Sequence, residues 1–147
     1  MTFEIAPRVL FGPAGATHRA EFMTTITHVV NCDSSYSSTS YGGQAKHFLF
    51  LKSYDEETYP ILDEHLERLC KYIDRALQDP DARVYIHCYM GINRSAALAI
   101  AYACRHYKRP ARTLIDETRR ATNRLLLTNQ GFEEQLKLRF PLYPPYS

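Results

Sequence analysis

Residues 87–95 read His-Cys-Tyr-Met-Gly-Ile-Asn-Arg-Ser, and no other stretch limits the fold of this chain so tightly. Before them stands a short β-branched and aromatic run (Val84, Tyr85, Ile86), and after them an alanine-rich stretch from Ala96 to Ala101. A strand, a tight loop and a helix N-terminus therefore meet around one cysteine and one arginine. Backbone N–H groups of such a loop point inward and, with the positive end of the helix, make a seat for a tetrahedral anion. The same field stabilises a thiolate at Cys88. Arg94, at the far side of the loop, offers a planar fork for two phosphate oxygens. A nucleophile at the base of a phosphate cradle suits phosphoryl transfer through a covalent cysteinyl-phosphate.

His87, Cys88, Gly91, Arg94 and Ser95 occupy the fixed positions of His-Cys-x-x-Gly-x-x-Arg-Ser. The pattern resembles the signature of the cysteine-dependent protein tyrosine phosphatases. In a chain of 147 residues a chance match is on the order of one in ten thousand. Within that superfamily the resemblance is to the small dual-specificity phosphatases. It runs from Thr27-His28-Val29-Val30-Asn31, through the signature, to Gly131-Phe132 and Gln135-Leu136. The larger tyrosine-specific domains carry an extra loop that deepens the pocket, for which this chain has no room. A shallow pocket implies access for phosphoserine and phosphothreonine as well as phosphotyrosine.

The resemblance also assigns roles. Cys88 is the expected nucleophile, with Arg94 binding phosphate and stabilising the transition state. Ser95 is expected to donate to the Cys88 sulfur and help it leave in the second step. Tyr89, Met90, Gly91, Ile92 and Asn93 complete the substrate-binding loop, and His87 orders it and favours the thiolate. Hydrolysis needs a general acid to protonate the leaving oxygen, which can then deprotonate the attacking water. Asp55, in Lys52-Ser53-Tyr54-Asp55-Glu56-Glu57 between a strand and a helix, is the expected acid, with Glu56 and Glu57 as competitors. Asp63 lies inside the following helix and reads as a first-turn dipole partner. Leu127-Thr128-Asn129-Gln130-Gly131-Phe132 resembles the family's Pro-Asn-x-Gly-Phe segment, with Thr128 in place of the usual Pro. There Asn129 is expected to brace the phosphate loop, to cap the last helix, or both. Arg124 stands where some members carry an arginine for a second substrate phosphate.

The rest of the chain reads as one α/β domain over residues 1–147, a mostly parallel sheet of about five strands flanked by helices. Strands are expected at 8–11, 26–30 and 47–51, with a short helix near 17–23. Val84 to Ile86 is short and apolar throughout, which places it at the centre of the sheet. Leu62, Leu66, Leu69, Ile73 and Leu77 recur at helical spacing, with Pro60 suited to the first turn and Asp79-Pro80 stopping the run. Three helices follow, at 94–107, about 111–122 and 130–140. The ligand site then lies at the carboxyl end of the central strand. The serine-rich segment 33–43 reads as a loop on the same side, with Tyr36 or Tyr41 as rim contacts to substrate.

Composition limits the alternatives. Hydrophobic content of 45% and charged content of 23% are globular values, and a net charge of +2 is too small to argue for nucleic acid. Seven Lys/Arg against two acids between Arg105 and Arg124 read mostly as one solvated helix face. Four cysteines lack metal-ligand spacing, and a catalytic thiolate needs a reducing compartment, so an intracellular setting (cytoplasm or nucleus) is expected. No apolar run is long enough for a membrane span. Neither a metal nor an organic cofactor is implied, because Arg94 and the loop amides neutralise the phosphate. The expected partner is a phosphorylated protein, and nothing signals an oligomeric state.

Three other functions compete. A phosphoinositide phosphatase would place lysines in the loop, and there are none. An RNA 5′-triphosphatase shares Gly-Ile-Asn-Arg, but its loop normally continues Arg-Thr-Gly where this one reads Arg94-Ser95-Ala96. A non-catalytic phosphoprotein-binding module typically lacks the Cys or the Arg, and both are here. Asn93, where Ser is commoner, is similar to the poxviral members and keeps the RNA reading open. Cys32 and Cys104 are candidates for a disulfide with an oxidised Cys88, against a default of buried apolar thiols.

Overall fold

The structure is a computed structural model and describes residues 1–35, 45 and 47–142. Five strands form one sheet in the order β1-β2-β5-β3-β4: Phe3–Ala6, Val9–Pro13, Val84–Cys88, His28–Asn31 and His47–Phe50. All pairings are parallel except β1 with β2, so the expected mostly parallel α/β sheet is what the chain builds. Strand β5 is central and buried along its whole length. Val84, Ile86 and Cys88 point into the larger core with the helices that follow, and Tyr85 points into a smaller core with Met23, Ile26 and Val29. That two-sided burial is why the strand reads as a continuous apolar run and not as an alternation.

A 3₁₀ turn (Ala14–His18) and the short helix α1 (Ala20–Met23) cover one face. The other face carries α2 (Ile61–Ala76), α3 (Arg94–Tyr107), α4 (Ala111–Thr122) and α5 (Gln130–Arg139). Helix α2 turns Ile61, Leu62, Leu66, Leu69, Cys70, Ile73 and Ala76 inward, one apolar stripe at helical spacing. Ser95 to Cys104 are all buried, and the alanines let α3 approach the sheet closely. Asn123 ends α4 at φ 52°, a left-handed position that Asn tolerates better than most residues.

The sequence reading missed β1. Its turn into β2 uses Pro7 and Arg8, and Arg8 holds a φ of 66°, where a turn normally signals itself with Gly or Asn. The Arg8 guanidinium bonds the carbonyls of Leu77 (3.1 Å), Asp79 (2.8 Å) and Ala82 (3.2 Å) just past α2. A long-range contact thus holds a conformation that local sequence does not announce.

Candidate active site

The carboxyl end of β5 runs directly into the loop 88–94 and then into α3. Cys88 is only 2% exposed. Its sulfur accepts a hydrogen bond from the Gly91 N–H at 3.2 Å and lies 3.2 Å from the Ser95 hydroxyl. That hydroxyl is also 3.4 Å from the Gly12 carbonyl, so β2 helps to seat it. Gly91 has a φ of +75°, and a Cβ there would lie 2.4 Å from the Gly12 carbonyl carbon and the Pro13 nitrogen. Only glycine gives both the conformation and the space.

Arg94 is held on one edge. Its Nη1 donates to Asp33 Oδ1 (3.1 Å) and to the Ser53 carbonyl (3.2 Å). Its buried Nε has no hydrogen-bond partner among the described residues. A buried guanidinium N–H left unpaired is costly unless a ligand meets it, and a tetrahedral oxyanion is the natural match. Asp33 therefore aims the fork while leaving part of it for an anion.

Asp55 lies on the connection between β4 and α2. Its Oδ2 accepts from Asn93 Nδ2 at 2.9 Å and its Oδ1 from Asn129 Nδ2 at 2.7 Å. The connection also rests on α5, because a Cβ on Gly131 would fall 2.0 Å from the Glu57 carbonyl oxygen. Among the described residues, neither Glu56 nor Glu57 makes a side-chain hydrogen bond to the phosphate loop. Of the three acids on this connection, Asp55 is the one tied to the nucleophile's loop.

His87 is buried, and its Nδ1 is 3.4 Å from the Cys88 carbonyl. Burial pushes its imidazole down from the ordinary 6.5 to about 4, so the ring is neutral near pH 7. A neutral ring therefore brings no positive charge to the Cys88 sulfur. The folded protein resists this proton and the unfolded chain does not. Stability is complete above pH 6.5 and falls as the pH drops from 6.5 toward 4, because only the unfolded chain gains a proton there. Chemical unfolding at pH 7.5 and 5 should show wild type losing about 2 kcal/mol more than His87→Gln, at 1.36 kcal/mol per unit. Equal losses in both proteins would contradict this.

The family model of the dual specificity phosphatase catalytic domain matches residues 15–139. This chain belongs to that family. It is 29% identical over 123 residues to dual specificity protein phosphatase 26 of Bos taurus, covering 81% of this chain and 56% of that protein. The Homo sapiens protein of the same name is 29% identical over 115 residues, covering 76% and 53%. The chain thus spans about half the length of the curated relatives it matches. The crystal structure of human DUSP28 superposes with a TM-score of 0.77 at 25% identity, over 93% of this chain and 90% of that one. DUSP15 superposes at 0.83 and 19% identity, over 93% and 85%, a likeness of fold.

As a dual specificity phosphatase domain, the chain brings together the residues named from its sequence, with some changes of part. Cys88, Ser95, Arg94 and Asp55 converge on one loop and its neighbours. Tyr89 and Met90 stand open at the rim, 66% and 55% exposed. Ile92 is partly buried against the core, and its carbonyl accepts the Leu127 N–H at 2.8 Å. Asn93, expected as part of the substrate-binding loop, has its side-chain amide engaged by Asp55, Thr128 and Asn129. Asn129 caps α5 through its Oδ1 at the Phe132 N–H, and its backbone N–H, not its side chain, donates to Asn93 in the phosphate loop. It also donates to Asp55, which was not foreseen. Arg124 is partly exposed on the loop from α4 to α5, the same loop that meets Ile92 and Asn93.

Tyr36 and Tyr41 lie outside the described residues. Cys32 follows β3, its N–H donating to the His87 carbonyl at 2.7 Å, and burial pushes its thiol well up, so it stays protonated. Cys104 sits near the far end of α3, its thiol pushed up to about 12. Sequence reasoning missed Asp33, Ser53 and Thr128. Asp33 had a usable signal, an acid just past the strand parallel to β5, on the side where open α/β sheets bind ligands. Thr128 and the Ser53 carbonyl had none, because their partners are distant in the chain.

Proposed function

We propose that this chain is one catalytic domain over residues 1–147 that hydrolyses phosphate monoesters on proteins. The Cys88 thiolate attacks phosphorus, and an S–P bond forms as the bond to the leaving oxygen breaks. Asp55 gives that oxygen its proton. Water then attacks the cysteinyl-phosphate, Asp55 takes a proton from it, and the thiolate departs with help from the Ser95 hydroxyl. Arg94 and the loop amides hold the phosphoryl oxygens throughout, offering donors aimed at the charge that develops. The observation that carries this reading is that Asp55 is hydrogen-bonded to the loop that holds Cys88 and Arg94, whose buried Nε has no acceptor among the described residues. A binding module needs no proton donor tied to its anion loop.

The open rim at Tyr89 and Met90 supports a shallow pocket, and with it phosphoserine and phosphothreonine beside phosphotyrosine. Arg124 is a candidate contact for a second phosphate on such a substrate. The RNA 5′-triphosphatase reading rested on Asn93, and that support weakens because the Asn93 amide is occupied within the protein. Among the described residues no helix is long and apolar enough to cross a membrane. Side-by-side assays on peptides carrying phosphotyrosine and phosphothreonine, a phosphoinositide and a 5′-triphosphorylated RNA test the substrate class. Hydrolysis of both peptides above the other two is expected. Preference for the RNA or the lipid would overturn it.

A further inference from the structure

Asn93 occupies the N-cap position of α3, where an Asn side chain ordinarily accepts a hydrogen bond from the first turn of the helix. Here it makes no such cap. The residue is 8% exposed and its amide faces away from the helix, into a closed ring of hydrogen bonds. Asn93 Nδ2 donates to Asp55 Oδ2 (2.9 Å) and to Thr128 Oγ1 (3.1 Å). Asn93 Oδ1 accepts from the Asn129 N–H (3.0 Å) and from the Thr128 hydroxyl (3.3 Å). Asn129 Nδ2 closes the ring on Asp55 Oδ1 (2.7 Å).

The chemistry permits one orientation of this amide. Turned over, its oxygen would face the Asp55 carboxylate and its NH₂ would face the Asn129 N–H, two repulsive contacts. Aspartate in its place would set carboxylate against carboxylate. Serine is shorter and cannot reach across to both partners. The residue just before the phosphate-binding arginine is therefore matched to the acid loop and not to an anion. By leaving the helix uncapped, it also leaves the first N–H groups of α3 free for phosphate.

We propose that Asn93 is a positioning residue for the general acid. With Asn129 it holds both oxygens of Asp55 beside the phosphate loop, so the carboxyl is oriented for proton delivery before substrate arrives. This rests on the phosphatase reading above and adds to it which residue links the acid to the nucleophile's loop. Preorganising a proton donor in this way removes the search for a reactive geometry from the chemical step.

General acid catalysis matters most when the leaving oxygen is a poor leaving group, which separates positioning from a loop-wide structural role. Wild type, Asn93→Ala and Asn93→Ser are compared on a phosphothreonine peptide and on 4-nitrophenyl phosphate, whose phenolate leaves with little need of a proton. Inorganic phosphate serves as a competitive probe of the cradle. The expected result for both variants is a loss of kcat of roughly tenfold or more on the peptide. On the aryl ester the loss is less than about threefold, and phosphate inhibition stays within about twofold. In an Asp55→Asn background Asn93→Ala should add nothing, since there is no acid left to position. Equal losses on both substrates, weakened phosphate inhibition or an undiminished effect in that background would each overturn the proposal. A wild-type protein without Cys88-dependent hydrolysis of either substrate would instead overturn the phosphatase reading, and the proposal with it.

Discussion

Cys88→Ser is expected to remove turnover of an aryl phosphate, a loss of about 10⁴-fold or more, while leaving inorganic phosphate able to bind. A serine hydroxyl at this position is not ionised near neutral pH, and it is the thiolate that attacks. The Gly91 N–H that donates to the sulfur and the Ser95 hydroxyl beside it are both compatible with a hydroxyl oxygen in its place. Arg94, held by Asp33 and the Ser53 carbonyl, depends on neither atom. The anion seat therefore survives the loss of the nucleophile. Steady-state assays and phosphate binding on the same preparation check both halves. In wild type, rapid acid quench and mass spectrometry should catch the phosphorylated Cys88 peptide. Variant activity near wild type would sink the assignment.

Asp55→Asn should slow hydrolysis of a phosphothreonine peptide by roughly 10²–10⁴-fold, the usual contribution of a general acid. Two effects combine in this substitution. The proton donor is lost, and the new amide must place an NH₂ against Asn93 or Asn129, both of which already donate there. One of those donors is left without its acceptor, and the ring opens. Glu56→Gln, by contrast, removes no hydrogen bond to the phosphate loop among the described residues and should stay within about twofold. If Glu56→Gln carries the loss instead, the wrong carboxylate has been assigned.

Much of the architecture was legible because its signals are local. The stripe of Leu62, Leu66, Leu69 and Ile73 announced α2, and helices α3 and α4 run over the residues read from their pattern. The uniform apolarity of Val84 to Ile86 placed β5 at the sheet centre, because a strand covered on both faces has no polar side. Strand β1 escaped because Arg8 holds its turn through carbonyls about seventy residues further on, with no Gly or Asn to mark it.

The proposed nucleophile and anion seat are read from one contiguous stretch, since the strand, loop and helix that carry Cys88 and Arg94 are all neighbours in sequence. Hydrogen-bond partners chosen across the chain do not follow from it. An asparagine carries a donor and an acceptor and bonds whatever packing brings within about 3 Å. The sequence places Asn93 in the loop beside Arg94 but says nothing of what its side-chain amide meets. The docking of the acid connection on Gly131, and of the α4–α5 loop on Ile92, brought Asp55 and Asn129 to it. The sequence by itself determined that Cys88, Gly91, Arg94 and Ser95 share one loop between a strand and a helix. The tertiary structure decided which side chains hold Asp55, because residues 55, 93 and 129 meet only after the sheet and its helices have packed.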